Sequence, residues 1–271
     1  MELIAVDPEK CNRDGVCVAV CPKMIIELKD GSPVPTLVED AEKECSNCGH
    51  CLAACPQGAL SLHTMAVADC PPVRPELLPR AEQVAHMLRA RRSIRNFAKR
   101  PVPREKLGAL IDIARFAPTG SNRQQVHWLV IHDTAEVRRL AGFTEEWLRH
   151  TVEMQRGTGV PTYERNLALA AARGADLVCR GAPHIVIAHA PKGRETDGVI
   201  ALSYLELAAF SQGIGTCWAG FVASATREWP AMREAVGLPE SHSICGAMLL
   251  GYPLYRYRRL PLRNQARIEW R

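Results

Sequence analysis

The sequence predicts an α+β protein in two parts, a small cysteine-rich head and a larger domain in which helices wrap a central sheet. Three observations lead there. Seven of the eleven cysteines lie between Cys11 and Cys55. Residues 65–80, MAVADCPPVRPELLPR, hold four prolines and no clear hydrophobic period, which reads as an extended spacer. From Ala81 onward, apolar residues at helical spacing alternate with short, uniformly apolar runs. A chain of 271 residues with 47% apolar content can bury one moderate core and still carry such a module. The expected division is 1–64, a linker at 65–80, and 81–271.

The head is duplicated. CNRDGVCVAVCP at 11–22 and CSNCGHCLAACP at 45–56 share the frame Cys-x2-Cys-x2-Cys-x3-Cys-Pro. Cys11, Cys17 and Cys21 recur 34 residues on as Cys45, Cys51 and Cys55, and at that offset Asp14 meets Cys48. MIIEL at 24–28 and ALSLH at 59–63 read as short strands, with turn chemistry in KDGSP between them. So little apolar surface cannot fold by itself, and bound metal is expected to hold it together. Zinc needs only four ligands, whereas seven cysteines in a duplicated frame suit iron-sulfur chemistry, in which one loop wraps three irons and leaves the fourth to a distant thiolate.

The head closely resembles the two-cluster ferredoxins, in which the cysteine before proline ligates the other cluster. The resemblance implies that Cys45, Cys48, Cys51 and Cys21 hold one [4Fe-4S] cluster, while Cys11, Cys17 and Cys55 hold three corners of a second. A carboxylate is a harder donor than a thiolate, so the corner at Asp14 is expected to be labile. Either Asp14 ligates that iron and completes a [4Fe-4S] cluster, or the centre is [3Fe-4S] and Asp14 is a solvated loop residue. His50 is read as a neighbour of its loop's cluster, since the sulfur positions are filled.

In the larger part, AEQVAHMLRARR reads as a helix leading into RRSIRNF. A second helix starts near Pro103, with Leu107, Leu110, Ile111 and Ala114 on one face, and stops at Pro118. The loop PTGSNRQQ precedes a strand, VHWLVIH, too apolar to be open on one face. Residues 142–182 read as a polar helical insertion. HIVIAHA at 184–190 is a strand, 197–212 an apolar helix, GIGTCWAGF a glycine-rich turn, TREWPAMREAVG a helix and ICGAMLLGY a strand before the basic tail YRYRRLPLR.

RRSIRNF, APTGSNRQQVHW, GIGTCWAGF and GYPLYRYRRLP resemble, in order and separation, the motifs of the FMN-dependent nitroreductase family, over essentially all of 81–271. Alone, RRSIR would more often be a solvated helix end; the accompanying motifs reverse that reading. The resemblance implies that Arg91, Arg92, Ser93, Arg95 and Arg259 hold the FMN phosphate, which guanidinium groups grip bidentately. It places Thr119, Asn122 and Gln124 at ribityl or ring atoms, and Trp218, Ala219 and Gly220 against the isoalloxazine, where a glycine turn lets the main chain approach. Cys217 reads as a small buried residue. GIG follows a helix and lacks the third glycine of a dinucleotide fingerprint. Family members are homodimers with the flavin at the interface, and helix 197–212 is a candidate for that contact as well as for ordinary core.

The expected function is an FMN oxidoreductase fed through two clusters, by reduced ferredoxin or NAD(P)H, and reducing a nitroaromatic, quinone or activated alkene. Its rivals are the reverse direction, with electrons exported, and a flavin/iron-sulfur carrier or redox sensor. No general acid is named, although Trp147 and Tyr163 in the insertion are candidates for substrate contact. The formal charge of +5 divides into −5 over 1–64 and +10 beyond, with scattered basic residues and no nucleic-acid-binding motif. No apolar run approaches the ~18–20 residues of a membrane span. An odd cysteine count and a start without a basic, then apolar, leader point to a reducing cytoplasm. Cys70 reads as an unpaired linker thiol.

Overall fold

The computed structural model describes residues 2–157 and 163–271. The chain forms two compact units: residues 1–78 with 120–123, and residues 79–119 with 124–271.

The first unit contains β1 (Ile4–Val6), α1 (Val16–Ala19), β2 (Ile26–Glu27), β3 (Thr36–Leu37), α2 (Ala41–Glu44), α3 (His50–Ala54) and β4 (Leu60–Leu62). The two strands expected from the repeat are β2 and β4. Each pairs with a strand too short to stand out in the sequence: β2 with β3, and β4 with β1, both antiparallel. The duplication is written into the backbone. Left-handed conformations at Arg13, Gly15 and Met24 recur at Asn47, Gly49 and Gly58, with φ of 57°, 74° and 52° matched by 50°, 72° and 56°. Gly15 and Gly49 precede α1 and α3 and turn each cysteine loop into its helix. Cys17 and Cys51 are buried in one small core with Ile4, Ile26, Leu52, Leu60 and Leu62. The stretch read as a spacer forms two short 3-10 turns, Val67–Asp69 and Pro75–Leu77.

The second unit contains α4 (Ala81–Ala90), α5 (Arg104–Ala114), β5 (His127–Ile131), α6 (Thr134–Met154), α7 (Glu164–Ala172), β6 (His184–Pro191), α8 (Glu195–Ser211), β7 (Gly215–Trp218), α9 (Gly220–Glu228), α10 (Pro230–Val236) and β8 (His242–Gly251). The sheet order is β5-β6-β8-β7, antiparallel throughout. Side chains alternate across a strand, so the buried β6 feeds two cores. Ile185 and Ile187 join Leu140 and Leu148 of α6 and Val222 of α9; Val186 and Ala188 join Leu107 and Leu110 of α5 and Leu202 and Leu205 of α8. Helices therefore cover both faces of the sheet. Gly198 permits the close approach of α8 to β8, because a Cβ there would meet Cys245 at 2.4 Å.

Several expectations change. The helix expected over TREWPAMREAVG is two helices, since Trp229 is extended (φ −104°, ψ 116°) before Pro230, which opens α10. A residue before proline is pushed out of the helical region, and proline suits the first helical position. GIGTCWAGF contains a strand, β7, as well as its turn. β5 is half-buried instead of covered, because it lies at the sheet edge. The insertion is less polar in packing than in composition: α6 buries Trp147, Leu148 and Val152. Its residues 158–162 lie outside the described residues.

Candidate functional site

Two small cavities in the first unit gather the cysteines. One is lined by Cys21, Cys45, Cys48 and Cys51; the other by Cys11, Cys17, Cys55 and Asp14. The grouping crosses the repeats, each cavity taking its last cysteine from the other copy. Electrostatics divides the thiols the same way. Burial pushes Cys51 up to about 11, with Cys48 and Cys21 adding to the rise; burial also raises Cys17, with Cys11 and Cys55 adding. Buried thiolates held together repel one another and call for a cationic centre. Backbone N–H groups of Asn47 and Ala59 point at Cys45 Sγ and Cys55 Sγ, at 3.4 Å each. The donor sets, four thiolates in one case and three with a carboxylate in the other, fit iron-sulfur clusters. Asp14 Oδ1 accepts the Val16 N–H at 3.0 Å, which ties one oxygen to the start of α1. His50 is exposed beside the four-cysteine cavity, which it also lines.

In the second unit, RRSIRNF is threaded between β7 and the tail. Ser93 bridges Thr216, Ile94 N–H donates to the Thr216 carbonyl at 2.7 Å, and Phe97 bridges Pro253. Gly215 makes room for this, since a Cβ there would meet Ile94 at 2.7 Å. The first and last motifs are thus adjacent through main-chain pairing. Arg89, Arg91 and Arg92 line a cleft of about 420 Å³ with Leu260, Pro261, Leu262 and Arg263 of the tail. Four guanidinium groups around one cleft fit a dianionic phosphate. Arg95 and Arg259 are exposed and line neither this cleft nor the larger one, of about 980 Å³, bounded by α4, β7 and residues 253–257.

Thr119 and Gln124 line a different cleft with Trp128 and Ala201, and Thr119 Oγ1 accepts the Gln124 N–H at 3.0 Å. Asn122 belongs to the first unit, where its Nδ2 donates to the carbonyls of Asn47 at 2.8 Å and Ser46 at 3.2 Å. Ser121, Asn122 and Gln124 all have positive φ, so the loop is held in a sparsely populated conformation. Within one chain, Arg91 and Arg92, expected at the phosphate, and Thr119 and Gln124, expected at ribityl or ring atoms, therefore line separate clefts.

At the end of β7, Trp218 is 37% exposed and Ala219 is buried. The Ala219 N–H is engaged by the Ala247 carbonyl at 2.8 Å. Gly220 opens α9, where first-turn N–H groups lack intrahelical acceptors, and a Cβ on it would meet nothing within 4 Å. That leaves open space beside free donors, which suits a ring laid against the main chain. Burial raises Cys217, so it stays a thiol, in keeping with its reading as a small buried residue. Trp147 is buried with its Nε1 on Glu228, whereas Tyr163 is exposed at its edge-on contact with Phe221.

The sequence reading missed Glu206. It lies in the apolar α8, is 8% exposed, and its carboxylate takes Arg91 Nη1 at 3.1 Å, Thr216 Oγ1 at 3.4 Å and Trp218 Nε1 at 3.4 Å. A charged residue on an otherwise apolar helix face was the available signal. Arg180, with φ of 59°, was also missed; Asp176 knots its loop by accepting the N–H groups of Val178, Cys179 and Gly181. Strand register gathers three further histidines, with His189 Nδ1 2.9 Å from His242 Nδ1 and the His127 ring 4.8 Å from that of His242. Burial lowers the pKa of His189, and the two neighbouring rings lower it further.

Comparison with known proteins agrees with both units. A 4Fe-4S dicluster domain matches residues 9–60, and the nitroreductase family matches residues 88–252. A protein of Archaeoglobus fulgidus, named as a candidate NADH dehydrogenase/NAD(P)H nitroreductase, is 27% identical over 173 residues, 64% of this chain and 86% of its own. Ferredoxin-1 of Nitratidesulfovibrio vulgaris is 53% identical over 32 residues, 12% of this chain and 52% of that protein. The nitroreductase of Bacteroides fragilis, solved with bound FMN, aligns at a TM-score of 0.54 and 22% identity, over 69% of this chain and 99% of its own. That of Desulfitobacterium hafniense, also solved with FMN, aligns at 0.54 and 21%, over 68% and 97%. These structures share the fold. With the family match covering more than half of its length, the chain belongs to the nitroreductase family of oxidoreductases and carries a 4Fe-4S dicluster domain on its N-terminal side.

Proposed function

We propose that the chain is an FMN-dependent oxidoreductase that takes electrons through two cysteine-bound iron-sulfur clusters and delivers them in pairs to a small organic acceptor. The observation that carries this reading is the presence, in one chain, of two cysteine-lined cavities and a nitroreductase domain. Bound FMN would supply the exchange between one-electron donors and two-electron acceptors. Arg91 and Arg92 hold its phosphate beside the tail, with Ser93, Arg95 and Arg259 completing the phosphate end. Gly220, Ala219 and Trp218 present main chain and indole to its ring. Thr119, Gln124 and Asn122 are assigned to ribityl or ring atoms; because Thr119 and Gln124 line a cleft apart from the arginines, the complete site is assigned to a homodimer in which a second chain supplies one set.

Cys21, Cys45, Cys48 and Cys51 hold a [4Fe-4S] cluster, and Cys11, Cys17 and Cys55 hold the other, whose fourth corner faces Asp14 and is the labile one. The acceptor class is a quinone, which takes two electrons and two protons to the hydroquinone, a nitroaromatic, which takes the same and loses water to give the nitroso compound, or an activated alkene. Solvent provides the protons, and reduced ferredoxin or NAD(P)H the electrons, in a cytoplasmic setting. The test is anaerobic reconstitution with iron, sulfide and FMN, followed by each donor in turn. Flavin bleaching that depends on intact clusters, and return of its absorbance with product on adding a quinone, is the expected result. Flavin that stays oxidised while the clusters are reduced would overturn the reading.

A further inference from the structure

A buried carboxylate is costly to keep unless its bonds are needed. Glu206 is such a group on a helix whose other buried residues are apolar or small. It joins residues from both ends of the site proposed above. Oε1 takes the guanidinium of Arg91, at the C-cap of α4, and the hydroxyl of Thr216 on β7; Oε2 takes the indole N–H of Trp218 at the end of the same strand. The Arg91 side chain remains 24% exposed, and the bond to Glu206 uses one of its five N–H donors, so others remain for an anion. Trp218 is held from two sides, its Nε1 on Glu206 and its Cζ3 so close to Gly246 that a Cβ there would come to 3.0 Å. Its partial exposure leaves surface for a planar ligand.

We infer that Glu206 is the positioning residue of the flavin site: one buried carboxylate sets both the Arg91 guanidinium for the FMN phosphate and the Trp218 indole for the ring. This rests on the FMN reading of the domain. Two consequences separate it from a merely structural role. A fixed negative charge behind the indole opposes added negative charge on a ring bound there, so its removal raises the flavin midpoint potential. The aim of Trp218 depends on the same charge, so its emission changes in the FMN-free protein as well. Glu206→Gln keeps the shape but cannot accept at both positions, since its amide nitrogen is only a donor.

The experiment uses the full chain as wild type, Glu206→Gln, Trp218→Phe and the double variant. It reads FMN dissociation by flavin fluorescence, indole emission without FMN, and the flavin midpoint potential. Glu206→Gln is expected to weaken FMN binding about tenfold, a loss of about 1.4 kcal/mol, to raise the potential and to shift the emission. Trp218→Phe, which removes one donor to the carboxylate, is expected to weaken binding less and to be non-additive with Glu206→Gln. Wild-type affinity and potential in Glu206→Gln, with FMN still bound by the parent protein, would overturn this inference alone. A parent protein that binds no FMN would remove the functional reading and this inference with it. Should Glu206→Gln fail to fold, Trp218→Phe decides: parental affinity and potential in that variant refute the inference.

Discussion

The two units reach their folds by opposite routes. In the first, strands of two or three residues and one small core leave cysteines among the buried side chains. In the second, a four-stranded sheet buries apolar side chains on both faces under long helices. Apolar burial contributes about 25 cal/mol per Å² of surface removed from water, so the second unit can be stabilised by its own side chains. The first unit must be completed by what its thiolates bind, as in other small metal-held domains. Thus a change in one unit should leave a different signature from a change in the other.

The largest contrast is expected from losing a cluster. Cys51→Ser, which removes a buried ligand, should lower iron by roughly four per chain and make the first unit susceptible to protease, while the sheet of the second persists. Proteolysis maps with iron analysis check this, and an equally protected first unit without its iron would break the contrast. Leu205→Ala makes the converse case: a fully buried leucine of the second unit is lost, at about 2–5 kcal/mol in urea melts, with iron content unchanged. A fall in iron would show that the units do not fold separately.

Smaller effects sharpen the comparison. Gly15→Ala and Gly49→Ala force a side chain into left-handed backbone, which costs roughly 1–2 kcal/mol at each position; similar losses of cluster stability would confirm the two repeats as mechanical equivalents. Acid should weaken the second unit through His184. Its Nε2 accepts the Val102 N–H at 2.8 Å, and burial lowers its pKa below the ordinary 6.5. The folded state therefore holds fewer protons than the unfolded chain. The contribution is full above pH ~6.5 and is lost as pH falls toward the lowered folded value. Urea midpoints between pH 7.5 and 5.5 should show the decline, and His184→Gln should flatten it. Asp14→Cys should alter stability least while making the cluster of Cys11, Cys17 and Cys55 as slow to lose iron in air as that of Cys21, Cys45, Cys48 and Cys51, measured by electron paramagnetic resonance; unequal loss persisting in that variant would place the lability elsewhere.

Much of the chemistry was legible because it is local. A 34-residue offset and a cysteine frame are visible in one dimension, and the backbone repeats them at Arg13 and Asn47 and at Gly15 and Gly49. The strand β6 announced itself by an apolar run. Two-residue strands such as β3 carry too few side chains for a period, and the break at Trp229 hid within a helical pattern although Pro230 marked it. Glu206 was hidden for another reason: its helix reads as uniformly apolar, and the guanidinium its carboxylate takes lies 115 residues back at Arg91.

By itself, then, the sequence determined which thiolates exist, how they are spaced and which segments form helices and strands, because these depend on neighbours within a few residues. Only the tertiary structure decided that Arg91 and Trp218 share one carboxylate, and that His127, His189 and His242 meet. Strand register and helix packing bring these groups together across distances in the chain at which no local pattern records them.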